Sequence, residues 1–341
     1  MEVVGTSSII PITAADLSQV GQARRRAVSL AHSIGFGESR LGELSIVVTE
    51  AARNIAIHAN EGIVSLTPWV IGDKAGLDVI AMDRGLGIDD IDRAIEDGYS
   101  TAGTAGEGLG ALSRIAATLQ IYSTPQVGTL LFARVLRDAK SAENGPESAD
   151  SMNLSVISAP IAGESVCGDG WMAKVDMRRS IYLMADGLGH GPFAHEAAQE
   201  AVRVFNDTAD RQPEFILREI HRALAKTRGA AVSVAEILHG ENTLNYAGVG
   251  NISSVVYCGS KTKSLVSMNG TAGHSVAKFQ QFSHPWEKNS ILIMHSDGLG
   301  TRWNLDAYPG LGSRHPALIA GLLYRDFARG RDDASILVTR K

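Results

Sequence analysis

The chain has 341 residues, a net charge of −5 and 44% hydrophobic residues, enough length and apolar content for two domains with separate cores. That balance gives no electrostatic footprint for nucleic acid, and no run reaches the length of a membrane span. Residues 1–11 lack the basic start and long apolar core of a signal peptide. The two cysteines, Cys167 and Cys258, fit a reducing compartment, so a cytoplasmic protein is expected.

After an initial strand, Leu17, Val20, Ala27, Val28, Ala31 and Ile34 recur at helical spacing over 14–34, which makes Arg24, Arg25 and Arg26 a solvated helix face. Gly35-Phe36-Gly37 ends that helix. A second helix, 39–59, carries Glu50, Asn54 and His58 on one face. Such a face is either the wet side of the helix or a place where a carboxamide oxygen holds Mg²⁺ and a carboxylate orients a nucleophile. A strand over 77–82 then ends in Asp83-Arg84-Gly85-Leu86-Gly87, and a glycine-rich stretch, 103–110, opens a helix expected over 111–119. Main-chain N–H groups of such a loop can cradle phosphates, and an acid at a strand end can accept a hydrogen bond from an adenine amino group. The stretch lacks the Lys-Ser/Thr of a P-loop.

The order Glu-x3-Asn-x3-His on a helix, Asp-x-Gly-x-Gly after a strand and a glycine loop before a helix resembles the GHKL ATPase superfamily. The wording Thr49-Glu50-Ala51-Ala52-Arg53-Asn54-Ile55 and Asp97-Gly98-Tyr99-Ser100-Thr101 is similar to its anti-sigma serine-kinase branch. The resemblance covers about 10–135 and implies an α/β sandwich with ATP held between helices and a mixed sheet. It implies Glu50 as the activating acid, Asn54 as the Mg²⁺ ligand and Asp83 as the adenine partner, with Gly85, Gly87, Gly106, Gly108 and Gly110 around the phosphates.

Residues 138–152 lack apolar periodicity and collect Ser, Glu, Asp, Gly and Pro, as a flexible acidic linker does. The expected domains are therefore 1–137 and 153–341. In the second, strands are expected over 153–159, 171–175 and 180–185, helices over 194–205 and 213–225, and strands again over 230–238, 243–248, 252–258, 263–268, 291–296 and 334–339. Asp169, Asp186, Asp297 and Asp332 each stand at a strand end beside Gly or a second Asp, so four segments can bring carboxylates to one sheet edge. Buried acids repel one another and resist ionising unless cations neutralise them, which asks for a divalent metal. Cys167, beside the first acidic turn, reads as a small neutral filler rather than a ligand or nucleophile.

Gly-Asp-Gly-Trp from Gly168, Met-Ala-Asp-Gly-Leu-Gly-His-Gly from Met184, Tyr-Ala-Gly-Val-Gly-Asn from Tyr246, His-Ser-Asp-Gly-Leu from His295 and Arg-Asp-Asp from Arg331 come in the order of the SpoIIE-type branch of the metal-dependent phosphatase 2C superfamily. That resemblance implies an α-β-β-α sandwich with two Mn²⁺ or Mg²⁺ ions, Asp186 bridging them near the Gly187 carbonyl, and Asp169, Asp297, Asp332 and Asp333 completing the ligands. His190 is either a proton donor to the leaving alkoxide or a turn-fixing residue, and Asn251 either positions substrate or turns the chain. The sequence nominates no arginine as a phosphate clamp.

The two resemblances together imply an α/β, two-domain serine/threonine phosphatase with an ATP- and Mg²⁺-binding serine-kinase-like domain. Its expected substrates are phosphorylated STAS-type switch proteins of bacterial partner-switching stress signalling, with a sigma-factor regulator as a further partner and neither nucleic acid nor membrane. The alternatives are dominant kinase activity on a STAS protein and a non-catalytic, sequestering anti-sigma-type adaptor.

Overall fold

The structure, a computed structural model, describes residues 2–3, 7–95, 108–125, 127–138 and 153–341. The expected linker, apart from Asp138, and Gly106 lie outside the described residues. Two compact units are present, and neither is continuous in sequence. The N-terminal unit comprises Ser7–Asn153 with Leu305–Arg325; the C-terminal unit comprises Met1–Thr6, Leu154–Asn304 and Asp326–Lys341.

Strand β1 (Glu2–Val3) pairs within the C-terminal unit. The N-terminal unit begins with β2 (Ser8–Thr13), followed by α1 (Ser18–Ser33) and α2 (Glu38–His58). Val20, Ala23, Ala27 and Ala31 form the buried stripe of α1, and their small size lets it pack closely on α2. Arg24, Arg25 and Arg26 are exposed, as expected for a solvated face. Strands β3 (Glu61–Ile71) and β4 (Lys74–Asp83) form a hairpin, followed by α3 (Ile91–Ile95), α4 (Gly108–Ile115), β5 (Thr118–Thr124) and β6 (Gly128–Leu136). Helix α4 stops short of the 119 expected from sequence, because the Ala117 N–H bonds to Arg134 O and draws the chain into β5.

The sheet order is β2-β3-β4-β6-β5. Every pairing in it is antiparallel rather than mixed: short turns join β3 to β4 and β5 to β6, while α1 and α2 lead from β2 to β3 and α3 and α4 lead from β4 to the β5–β6 hairpin. Leu77, Val79, Ala81, Leu131 and Ala133 face α1 and α2 in one core. The other face carries a buried charge network: Arg134 donates from Nε and Nη2 to the two Asp78 oxygens at 2.8 and 2.7 Å, and Trp69 Nε1 donates to Asp78 Oδ1 at 2.9 Å.

The C-terminal unit runs through β7 (Leu154–Ala159), β8 (Asp169–Val175), β9 (Arg179–Gly187), α5 (Pro192–Thr208), α6 (Pro213–Ala223), β10 (Ala230–Leu238), β11 (Thr243–Val249), β12 (Ser253–Cys258) and β13 (Lys261–Ser264). It continues with β14 (Gly270–Thr271), β15 (Ser275–Val276), β16 (Phe282–Pro285) and β17 (Ile291–His295). The helix α7 (Pro316–Phe327) then precedes the last strand, β18 (Ala334–Arg340). The principal sheets are β1-β8-β9-β10-β11-β16 and β13-β12-β17-β18-β7, and the Tyr182 and Thr339 hydroxyls join them at 3.1 Å. Both α5 and α6 start with proline in the first turn, where its missing N–H costs nothing, and bury Ala197, Ala201, Phe205, Ile216 and Ile220 against Leu183, Ala185, Val232 and Val234.

The segment Leu305–Arg325, which contains most of α7, leaves between β17 and β18 and packs with the N-terminal unit. Its Gly321 lies so close to the sheet that a Cβ there would meet Ile80 at 2.9 Å and Met82 at 3.2 Å. His315 stacks on Phe132 with ring centroids 4.4 Å apart. The β4 and β6 residues are thus covered on both faces, which is why these strands read as near-continuous apolar runs.

Candidate functional site

In the N-terminal unit, a cavity of about 350 Å³ is lined by Glu50, Asn54 and His58 of α2, Asp83, Gly85 and Gly87 after β4, Gly108 at the start of α4, and Thr129 and Leu131 of β6. Seven of the predicted residues thus surround one space, although they span nearly sixty positions of sequence. Gly110 is buried within α4 and is not part of the wall. Gly108 lies close to the acid, since a Cβ there would stand 2.8 Å from Glu50 Oε2 and displace that carboxylate. Gly87, at φ +80°, turns the chain where a Cβ would meet Thr124 O at 2.7 Å.

Burial pushes the Asp83 carboxyl above its ordinary value, while N–H groups of Gly85 and Thr129 and the Arg325 guanidinium pull it down. Both N–H groups bond to Oδ1, at 2.8 and 3.1 Å. Oδ2 is the oxygen left to a ligand's amino group. Arg325 Nη1 donates to the carbonyl oxygens of Asp83 and, at 2.8 Å, Val127, so α7 braces the turn that holds this acid.

In the C-terminal unit, Asp169 and Asp186 are register partners on β8 and β9. Asp297 follows β17, and Asp332 and Asp333 precede β18, which pairs with β17. The acids therefore come from the ends of two facing sheets, not from one sheet edge. Burial raises the Asp169 carboxyl to about 7, with Asp333 and Asp332 adding to the rise. Burial raises Asp186 to about 8, reinforced by the charges of Asp169, Asp297, Asp332 and Asp333. Asp297 and Asp333 are raised too, again first by burial.

Asp169, Asp297, Asp332 and Asp333 each have their own anchor. Ser296 Oγ donates to Asp169 Oδ2 at 2.7 Å, Asn251 Nδ2 to Asp297 Oδ2 at 2.7 Å, and the Asp333 N–H to Asp332 Oδ1 at 2.9 Å. Asp333 has both oxygens engaged, accepting from the N–H groups of Ile161 and Gly168 at 2.8 Å each. Among the described residues no three acids or imidazoles close into a finished metal cage. Like charges held on separate anchors sense one another electrostatically without converging. Gly187 lets β9 touch α5, since a Cβ there would fall 2.1 Å from Ala194 O. Cys167 is pushed up to about 12, mainly by burial and then by Asp169, so its thiol stays neutral, as expected of a filler.

Residues 13–134 match the family model of the histidine kinase-like ATPase domain, and residues 176–341 match that of stage II sporulation protein E, SpoIIE. The serine/threonine-protein kinase RsbT of Bacillus subtilis (strain 168) is 35% identical over 107 residues, covering 31% of this chain and 80% of RsbT. The chain belongs to the family of RsbT-like kinase-type ATPases. The phosphoserine phosphatase RsbX of the same organism is 29% identical to it over 138 residues, 40% of this chain and 69% of RsbX. A solved structure from work on the bacterial stressosome as a modular system controlling secondary messenger signalling shares its fold. Identity there is 22% and the TM-score 0.52, over 55% of this chain and 98% of the other.

Its C-terminal domain, which matches the SpoIIE model, makes the chain a protein serine/threonine phosphatase joined to a kinase-type ATPase domain. Its acidic donors fit a hard divalent cation: all are carboxylate oxygens, and Asp169 and Asp186 are held together at a cost that positive charge would relieve. The sequence reading missed Glu164, whose Oε1 accepts from His190 Nδ1 at 2.8 Å and fixes that ring. It also missed Arg325 and Ser296. Glu164 and Arg325 carry no local signal, because only tertiary packing brings them to their partners; Ser296 adjoins Asp297 but reads as strand. No described helix is long and apolar enough to cross a membrane.

Proposed function

We propose that the SpoIIE-type unit hydrolyses phosphoserine or phosphothreonine on a STAS-domain switch protein in the cytoplasm, and that the RsbT-like unit binds ATP with Mg²⁺ in the same partner-switching signalling. The observation that carries the reading is the Asp169–Asp186 register pair, two carboxyls raised first by burial and then by neighbouring aspartate charges. Asp169, Asp186, Asp297 and Asp332 would hold two Mn²⁺ or Mg²⁺ ions, which supply the Lewis acidity that makes water a nucleophile at neutral pH. Asp333, with both oxygens on main-chain N–H groups, positions the Gly168 turn and hence Asp169. Asn251 orients Asp297. In the reaction water attacks phosphorus, the bond to the seryl oxygen breaks, that oxygen takes a proton, and inorganic phosphate leaves. His190, exposed and steered by Glu164 through Nδ1, keeps Nε2 for giving that proton.

The intact pocket around Glu50, Asn54 and Asp83 supports a second activity, phosphorylation of the same class of STAS protein, with Glu50 accepting the serine hydroxyl proton and Asn54 holding Mg²⁺. Both activities are tested on the full chain. Phosphate release from a phosphorylated STAS protein is expected with Mn²⁺ or Mg²⁺ and not with chelator or with Asp186→Ala. Transfer of labelled γ-phosphate to the unphosphorylated protein is expected to vanish in Glu50→Ala and Asn54→Ala. Absence of both, with ATP still bound, leaves a sequestering adaptor as the function.

A further inference from the structure

A site walled by aspartates repels a phosphoprotein as long as no cation faces the incoming phosphoryl group. Among the arginines of the C-terminal unit, Arg179, Arg203, Arg211, Arg218 and Arg222 are engaged with carboxylates of their own. Arg329 lies in the field of Asp297. Arg178, Arg302 and Arg331 are exposed as well, and what sets Arg228 apart is where its guanidinium lies. It is exposed and forms no ion pair among the described residues, and its guanidinium lies over the Phe193 ring at 4.9 Å from the centroid.

The same guanidinium reaches the loop that carries Asp186 and His190. A Cβ on Gly189, which sits at φ +85° between those two residues, would stand 3.2 Å from Arg228 Nη1. The backbone beneath is fixed from both sides. Leu188 N donates to Gly229 O at 3.0 Å, Ala230 pairs with Gly187, and His274 Nε2 donates to Arg228 O at 2.9 Å. Stacking on an aromatic face orients a guanidinium while leaving its in-plane N–H groups free for two phosphate oxygens. Phe193 and Leu188 are themselves 61% and 45% exposed, so the cation stands between two apolar side chains suited to the residues around a phosphoserine.

We propose that Arg228, oriented by Phe193, binds the phosphoryl group of the substrate at the hydrolytic site, with Leu188 and Phe193 receiving its flanking residues. This rests on the reading of that site as a phosphoserine hydrolase. Glycine at 189 is called for by its φ of +85°, and it leaves the guanidinium room beside the loop.

The test uses the full-length protein with its nucleotide pocket saturated with ADP. Inorganic phosphate is titrated by calorimetry, and Mn²⁺-supported hydrolysis of a phosphorylated STAS protein is followed in parallel. Arg228→Ala is expected to weaken phosphate binding and raise KM about tenfold or more, with a much smaller change in kcat. Arg228→Lys is expected to recover part of this, and Phe193→Leu to lose part of it, with thermal midpoints unchanged. Hydrolysis that proceeds with the same KM in Arg228→Ala overturns the inference and leaves the phosphatase reading standing. Phosphate binding that depends on Arg228 in a wild-type protein without hydrolysis overturns the phosphatase reading alone. A wild-type protein that binds no phosphate overturns the role given to Arg228.

Discussion

Stripping the metal from the C-terminal unit is expected to make its stability fall as pH rises, and Asp186 sets the size of the effect. Its carboxyl is raised from an ordinary value of 3.8 to about 8, first by burial and then by Asp169. A group raised in the folded state favours folding fully below its unfolded value and loses that contribution as pH climbs through the folded one. The window is therefore about pH 4 to 8. Four units at about 1.4 kcal/mol each give a ceiling of roughly 6 kcal/mol. Because Asp169 and Asp186 share the titration, we expect about 2–4 kcal/mol between pH 5 and 8 to be removed by Asp186→Asn. For a unit of this size that is about 5–10 °C in the melting midpoint. The assay is circular-dichroism melting of wild type and Asp186→Asn in chelator across that range, repeated with saturating Mn²⁺. Wild type is expected to drop with pH while the variant stays flatter, and metal should restore the wild type only. Parallel profiles in chelator would refute the account of Asp186 as an acid held against its neighbours.

Asp83→Ala is expected to weaken ATP binding at least about tenfold through loss of the adenine contact, read by displacement of a fluorescent nucleotide, and an unchanged affinity would remove Asp83 from the pocket's function. Gly187→Ala forces a Cβ to 2.1 Å from Ala194 O, and should cost about 1–3 kcal/mol or more and lower metal affinity. A variant with native melting and metal binding would contradict that packing. Gly321→Leu places bulk against Ile80 and Met82, and hydrogen exchange along β4 should speed up by about tenfold or more if α7 seals that face. Exchange confined to α7 itself would argue that β4 does not depend on it.

Much of the chemistry was readable residue by residue. Helical spacing put Glu50 and Asn54 on one face, either the wet side of the helix or a binding face, and Asp83, Asp169, Asp186 and Asp297 stood where an apolar strand meets glycine; the structure brings the first two and Asp83 to one cavity and pairs Asp169 with Asp186. These are local patterns, and local patterns survive without knowledge of the fold. Helix α4 was read too long because apolar periodicity continues through Leu119, whereas the ladder with β6 claims the backbone from Ala117 onward. The residues that orient the site, Glu164 for His190, Ser296 for Asp169, Arg325 for the Asp83 turn and Arg228 beside Gly189, have partners that are far away in sequence.

The sequence by itself determined the two domain types, a kinase-type ATPase domain and a phosphatase domain, because charge, glycine freedom and strand ends are properties of short stretches. Only the tertiary structure decided where the chain's pieces belong. The segment Leu305–Arg325 lies in sequence between Asp297 and Asp332, yet it packs on Ile80, Met82 and Phe132 of the N-terminal unit, since the apolar far face of that antiparallel sheet must be covered and this segment supplies the cover.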